Sequence, residues 1–200
     1  MSINLLETVQ TQLRYPALRK IDPNTQVEST DNIMPDKHQF GQAAIPGILT
    51  ALYKFSRTDD GAENILQGSI TSNWTALIFG DQKESIIQKI AGFSNLSLDN
   101  AEAKMNTIAV TAITTIKENL PAKATIHDVK VFLAGQRNDI LLYLPAVLQL
   151  GEMLNDNTLD DRTNKMEGPV SSLMHKIGDQ FSEGESKIKN DNNGKEIKPN

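Results

Sequence analysis

Two segments of the chain share a pattern at a spacing of 54 residues, and this repeat constrains the fold more than any other feature. The segments are TSNWTALIFGDQKESIIQKIAGF at residues 71–93 and TIHDVKVFLAGQRNDILLYLPAV at residues 125–147. Each starts with a threonine suited to cap a helix, passes through a short apolar stretch to a glycine, and resumes with glutamine and a basic residue. Because glycine ends a helix without a Cβ clash, the repeat predicts two similar helix–turn–helix units that reverse at Gly80 and Gly135.

Helical periodicity dominates the rest of the sequence. The clearest helix starts after Ser97, an N-cap residue, and ends just before Pro121. Its apolar residues recur every three or four positions and share one face: Leu98, Ala101, Met105, Ile108, Ala112, Ile116 and Leu120. Thr125 and Asp128 form a weak capping-box pattern for the next helix. No alternating strand pattern joined by hairpin turns occurs, so we expect an all-α chain of about eight helices.

Prolines stand inside the two most apolar segments, AAIPGILTAL at residues 43–52 and LYLPAVLQL at residues 142–150. The second segment belongs to a helix predicted over residues 138–154. A proline removes one backbone N–H and either kinks a helix or occupies the first position of a new one. Two structures therefore fit the sequence: bent helices that cross near Pro46 and Pro145, or separate helices that begin at these prolines.

The chain divides into three regions. Residues 1–34 start with an amphipathic helix and continue as an irregular, proline-containing connection. Residues 35–182 form the helical domain, which ends with an amphipathic segment at residues 170–181. Residues 183–200 are charged and rich in asparagine and glycine, which predicts a disordered tail.

The composition indicates a soluble protein with no nucleic-acid partner. The net charge is −5 at pH 7, whereas phosphate binding draws on an excess of basic residues. The chain has no cysteine, which excludes disulfides, thiolate catalysis and cysteine-zinc sites. Its uncharged windows are shorter than the roughly 18–20 apolar residues that span a bilayer, and its first residues do not resemble a secretion signal. We expect a cytoplasmic protein without a transmembrane segment.

A shared pattern runs through FGQAAIPGILTAL, LIFGDQKESIIQKIAGFSNLSLDNAEAKM and VKVFLAGQRNDILLYLPAVLQLGEML. A helix ends in glycine, glutamine and a basic residue follow, the next helix holds Ile-Ala or Leu-Pro, and SNLS opens a long helix of small residues. In this pattern, which covers residues 39–154, the chain resembles the bacterial YidB-like family, a domain of unknown function. The resemblance implies a compact all-α array and a bacterial source. It implies no catalytic residue, because the family has no established activity to carry over.

The residue types that usually carry catalysis or bind metals are scattered along the chain. The three histidines, His38, His127 and His175, are far apart and form no HExxH motif. The acidic stretch at residues 155–161 lacks the central glycine of a calcium-binding loop and is expected to cap a helix instead. Phosphate-binding glycine loops and nucleophile elbows are missing. The sequence predicts no catalytic residue, no cofactor and no metal site.

Four residues are candidates for a pocket or a partner surface: Gln136, Arg137, Tyr143 and Lys83. Lys83 and Arg137 follow the two glycine turns at equivalent positions and would present a paired basic feature. Alternatively, each cation contacts the terminal carbonyl groups of the helix before it. Gln136, Arg137 and Tyr143 would supply the polar groups of a pocket between the proline-containing helices.

These features favour a non-enzymatic interaction or structural module, since neither cofactor loops nor clustered titratable groups are present. Its partner would be another protein or a second copy of the chain. The segment at residues 170–181 is expected to dock on the main body or to contact that partner. Two further functions stay open. One is a small-ligand binder or enzyme with a pocket near Pro46 and Pro145, and the other is a peripheral envelope-associated protein, which the acidic balance disfavours.

Overall fold

The computed structural model describes residues 3–21, 36–68, 73–145 and 148–154. These residues fold into α1 (Leu5–Gln12), α2 (Asp36–Phe55), α3 (Asp59–Gln67), α4 (Trp74–Phe79), α5 (Lys83–Phe93), α6 (Leu98–Glu118), α7 (Ile126–Leu141) and α8 (Leu150–Met153). Six of these helices have eight or more residues, and a short 3-10 turn, Gly80–Gln82, joins α4 to α5. The described ranges contain no strand, which confirms the predicted all-α class.

The described residues all belong to the first of two units, Met1–Asp160. Several predictions concern segments outside the described residues and stay predictions: most of the irregular connection (22–35), the acidic stretch (155–161), the amphipathic segment (170–181) with His175, and the tail (183–200).

Helix α2 forms the centre of the core. Every residue from Phe40 to Leu52 is buried, so this part of the helix is covered on all sides. Helices α1, α4, α5, α6 and α7 pack against it. A helix with an apolar circumference of this kind is stable only inside a protein, which explains why the most apolar segment of the sequence lies at the centre.

Helix α2 runs through Pro46 and does not begin there. Proline cannot donate the backbone hydrogen bond to the carbonyl of Gln42 and costs a helix interior about 3 kcal/mol, so the surrounding burial stabilises the helix. A Cβ on Gly47 would lie 3.3 Å from Leu150 Cδ1 and 3.7 Å from Ile90 Cδ1. The small residue beside the proline therefore lets α8 and α5 approach closely.

Pro145 lies outside the described helices, so the helix predicted over residues 138–154 is wrong. Helix α7 ends at Leu141, and α8 begins at Leu150. A residue before proline is disfavoured in the α region, and a helix that ends before Leu144 avoids this conflict. The two prolines therefore do not mark a pair of bent helices that cross, and the alternative that a helix begins at Pro145 depends on residues 146 and 147, which lie outside the described residues.

The two repeat units fold differently. Gly80 has φ 53° and ψ −130°, and the chain turns there between α4 and α5. In the second unit α7 passes through Gly135 without interruption. The predicted turn is confirmed at Gly80 and wrong at Gly135.

Helix caps follow the sequence in two of three cases. Ser97 precedes α6 as predicted, and the carboxylate of Asp128 accepts hydrogen bonds from the backbone N–H and the hydroxyl of Thr125, both at 2.7 Å. The cap of α4 is Asn73, whose Oδ1 accepts from the backbone N–H of Ala76 at 3.1 Å. The prediction that Thr71 caps this helix is therefore wrong by two residues.

Candidate interaction surfaces

Gln136 holds α1 against α7. Its side chain is only 3% exposed. Its Oε1 accepts a hydrogen bond from the N–H of Leu5 at 2.8 Å, and its Nε2 donates to the carbonyl of Ile3 at 3.0 Å. Leu5 is the first residue of α1, and the first N–H groups of a helix have no partner inside it. Both ends of the amide thus have partners within the fold, which is a structural role.

Gln42 has a comparable role that the sequence prediction missed. It is 1% exposed, and its Oε1 accepts from the N–H of Arg19 at 2.8 Å. Its Nε2 donates to the carbonyls of Arg19 and Tyr143, both at 3.0 Å. Tyr143, a predicted pocket residue, is therefore tied to α2 through its backbone. A glutamine in the mostly apolar centre of α2 was the available sign, because a buried amide must find partners.

The strap, residues 15–21, runs along the start of α2. The Nε2 atom of His38 lies 3.0 Å from the carbonyl oxygen of Ala17, and Gln42 binds the strap further along. At its end the N–H of Ile21 donates to the carbonyl of Leu142 at 2.8 Å. The strap therefore connects α1, the first turns of α2 and the turn that follows α7.

Lys83 forms a salt bridge with Glu102 of α6, with 3.0 Å between Nζ and Oε1. This salt bridge takes the place of the predicted contact between Lys83 and the carbonyl groups at the end of α4. The same contact was predicted for Arg137, but Arg137 lies inside α7, and no helix ends just before it. The structure therefore places Gln136 and Arg137 on α7 and Tyr143 just after it, while the polar partner of Lys83 belongs to α6.

The first candidate surface, called the α4–α6 surface, comprises Leu77, Lys83, Leu98 and Glu102. The backbone N–H of Trp74, at the start of α4, donates to Asn106 Oδ1 of α6 at 2.8 Å. Leu77 follows Trp74 by three residues and is 43% exposed. Leu98 precedes Glu102 by four residues, so both lie on one face of α6, and Leu98 is 49% exposed.

The second candidate surface, called the basic surface, comprises Arg14, Arg19, Lys20, Lys37 and Lys104, all of them exposed. Two aromatic rings, Tyr15 and Phe40, lie at its centre with their centroids 6.1 Å apart. Lys37 Nζ is 5.6 Å from the centroid of the Tyr15 ring, and Lys104 Nζ is 5.6 Å from that of the Phe40 ring. Burial raises the pKa of Tyr15, because desolvation disfavours the phenolate.

None of these five cations forms a salt bridge with a carboxylate of the described residues. The described cations with carboxylate partners within salt-bridge distance include Lys83 and Lys130. Sequence reasoning missed the basic surface because its members come from the turn after α1, the strap, α2 and α6, and because the net charge of the whole chain is negative.

The histidines in the described ranges are separate from each other. His38 contacts the strap, and His127 is exposed in the first turn of α7. Within these ranges no three histidine or acidic side chains are grouped so as to hold a metal ion. Among the described helices, none combines the length and the apolar character that crossing a membrane requires.

Comparison of the chain with protein-family models, with curated proteins and with solved structures found no match.

Proposed function

We propose that the chain is a non-enzymatic helical interaction module that binds a second copy of itself through the α4–α6 surface. The observation that carries the proposal is the exposure of two leucines, Leu77 and Leu98, on two helices that pack together. Exposed apolar side chains grouped beside polar ones are typical of protein–protein contacts.

The charges on this surface support a self-complementary contact. In a twofold dimer the same patch meets itself, so that a residue on one copy faces a different residue on the other. Lys83 and Glu102 carry opposite charges, and their side chains are 27% and 34% exposed. A twofold arrangement would bring Lys83 of one copy near Glu102 of the other while the leucines lose contact with water.

Sedimentation equilibrium of the full chain over a concentration series tests the proposal. We expect the apparent mass of the wild type to rise from monomer to dimer. The double substitution Leu77→Ser with Leu98→Ser is expected to keep the chain monomeric, whereas Val131→Ser, at a 57% exposed site on α7, is a matched control that leaves dimerisation intact. A wild type that stays monomeric throughout, or a double variant that dimerises like it, would contradict the proposal.

A second function, the binding of a small ligand, is favoured by Thr50. This residue lies one turn after Pro46, is 1% exposed, and its hydroxyl has no hydrogen-bond partner among the described residues. A buried hydroxyl without a partner is uncommon, and a ligand would satisfy it. Native mass spectrometry of the purified chain tests this: a bound small molecule that is lost in Thr50→Val supports the function, and a wild type found only at the mass of its unliganded chain contradicts it.

The bacterial source, the likeness to the YidB-like family and the cytoplasmic location remain predictions from the sequence. They are compatible with a self-associating helical module, and an interaction or structural role requires no cofactor. The expected absence of a nucleic-acid partner is likewise a prediction.

A further inference from the structure

We infer that the basic surface binds anionic phospholipid membranes. This inference does not depend on the proposed dimer, because the α4–α6 surface shares no residue with the basic surface. Peripheral membrane binding was disfavoured on the sequence alone because the chain is acidic overall. The fold changes that judgement by bringing the strap, with its exposed cations, onto the first turns of α2 near Lys37 and Lys104.

The contacts of the strap place these cations together. Tyr15 packs on α2, since a Cβ on Gly41 would lie 2.9 Å from Tyr15 Cδ1. Lys37 and Lys104 lie over the two rings at this point. Further along the strap, the backbone of Arg19 is fixed by Gln42, while its side chain is exposed like that of Lys20.

Arg14 adds an observation from the backbone. Helix α1 ends with the N–H of Arg14 bonded to the carbonyl of Thr11 at 3.1 Å and the N–H of Tyr15 bonded to the carbonyl of Gln10 at 3.0 Å. This arrangement requires a left-handed residue, usually glycine or asparagine, at the position of Arg14, which has φ 54°. Helix α5 has Asn95 with φ 51° after its end, the ordinary choice. An arginine held in a conformation that L-residues disfavour is consistent with a role for its side chain.

Apolar groups border the cations. Leu142, whose carbonyl accepts from the N–H of Ile21, the residue after Lys20, is 41% exposed. Pro16 and Ala17 of the strap are exposed, and Tyr15 is half-buried. Anionic lipid surfaces attract lysine and arginine, and apolar and tyrosine side chains settle at the level of the headgroups. An acidic protein partner would also bind the cations, but a single exposed leucine would add less to its affinity than to the affinity for a membrane.

The carboxylate closest in sequence to the basic surface is Asp36, which precedes Lys37. It does not form a salt bridge with any of the five cations. The cations consequently remain available to the negative headgroups of a bilayer. Their attraction to it is expected to weaken as salt is added, because exposed charges are screened.

Flotation of the full chain with vesicles tests the inference. Vesicles of phosphatidylcholine with phosphatidylglycerol are compared with vesicles of phosphatidylcholine alone, at low and at raised salt. We expect partition into the anionic vesicles only, and weaker partition at raised salt. Lys20→Gln is expected to reduce partition about fivefold, since each cation near an anionic surface contributes about that factor.

Lys123→Gln is the matched control, because Lys123 is exposed and lies outside the basic surface. It removes the same charge and is expected to leave partition unchanged, as is the leucine double variant of the α4–α6 surface. Leu142→Ser is expected to weaken partition with no change in charge. Circular dichroism confirms that each variant is folded.

Four results would overturn the inference: equal partition into both kinds of vesicle, no partition at all, an equal loss with Lys20→Gln and Lys123→Gln, or binding of soluble polyglutamate in preference to the vesicles. The last result would assign the basic surface to an acidic protein. Failure of vesicle binding with intact dimerisation would refute this inference alone, and the reverse result would refute only the proposed function.

Discussion

The two repeat units, residues 71–93 and 125–147, resemble each other in sequence and differ in where the helix breaks. The first breaks early, at Gly80, and then continues as α5 to Phe93. The second continues through Gly135 and breaks late, after Leu141. The helix break therefore comes earlier in the shared pattern in the first unit than in the second.

The residue that aligns with Gly80 explains the early break. At the spacing of 54 residues Gly80 corresponds to Ala134, and Gly135 corresponds to Asp81. The backbone of Gly80, at φ 53° and ψ −130°, is accessible to glycine and strained for alanine. The second unit thus lacks glycine at the one position where the turn needs it, and α7 continues.

The residue that aligns with Pro145 explains the late break. It is Ala91, which lies inside α5. An alanine there lets the first unit continue as a helix, whereas Pro145 disfavours the α conformation at Leu144. Glycine permits a turn without imposing one, and proline disfavours a helical residue before it unless surrounding burial compensates, as it does in α2.

The largest expected difference in stability is between substitutions of Gln136 and of Gln82, its counterpart in the first unit. Replacement of Gln136 by methionine leaves the N–H of Leu5 and the carbonyl of Ile3 without partners, which we expect to lower the free energy of unfolding by about 2–3 kcal/mol. Gln82 is exposed in the turn, so Gln82→Met is expected to change it by less than about 0.5 kcal/mol. Urea unfolding of both variants measures the difference, and equal effects would contradict it.

Substitution of Gly80 comes next. Gly80→Ala is expected to destabilise the protein by about 1–2 kcal/mol, because alanine must adopt the positive φ of the turn. A Cβ at this position meets nothing within 4 Å, so the loss comes from the backbone and not from a clash. The melting temperature in thermal unfolding measures this loss of stability. An unchanged melting temperature would show that the turn is not held at Gly80.

Substitution of Gly135 is expected to have the opposite sign. Gly135 lies inside α7, and a Cβ there also meets nothing within 4 Å. Gly135→Ala should therefore raise the free energy of unfolding by about 0.5–1 kcal/mol, the ordinary gain of alanine over glycine in a helix. A loss of stability in urea unfolding would indicate a turn at Gly135 and would restore the equivalence of the two units.

The smallest expected effect concerns the caps. Hydrogen bonds from Thr125 hold the pKa of Asp128 below its usual value. A lowered pKa in the folded state adds stability above the unfolded pKa, and this stability is lost as the pH falls through the folded pKa. In Asp128→Asn this acid-side loss should be smaller than in the wild type, as measured by unfolding free energies between neutral pH and about pH 2. If the free energy of unfolding fell equally with pH in the two proteins, the stabilising role of the Asp128 cap would be contradicted.

Local sequence rules predicted much of the fold. The periodicity after Ser97 located α6, and the Thr125–Asp128 pair located the start of α7, because caps and apolar spacing act within a few residues. The rules failed where distant segments decide the outcome. Gln136, next to Gly135 in α7, has its hydrogen-bond partners at the start of α1, more than a hundred residues earlier.

The candidate surfaces were less accessible from sequence. Lys83 was identified, but its partner Glu102 was not, since nineteen residues separate them. The basic surface combines residues of the turn after α1, the strap, α2 and α6, which meet only after folding. Net charge is a property of the whole chain and does not reveal how charges are distributed over its surface.

Backbone NMR of the full chain tests the central claim, the unequal behaviour of the two glycines, most directly. We expect Gly135 to have a helical Cα chemical shift and a slowly exchanging amide, and Gly80 to have a non-helical shift, flanked by a rapidly exchanging amide at Asp81. Non-helical shifts with rapid amide exchange at both glycines would contradict this account of the fold.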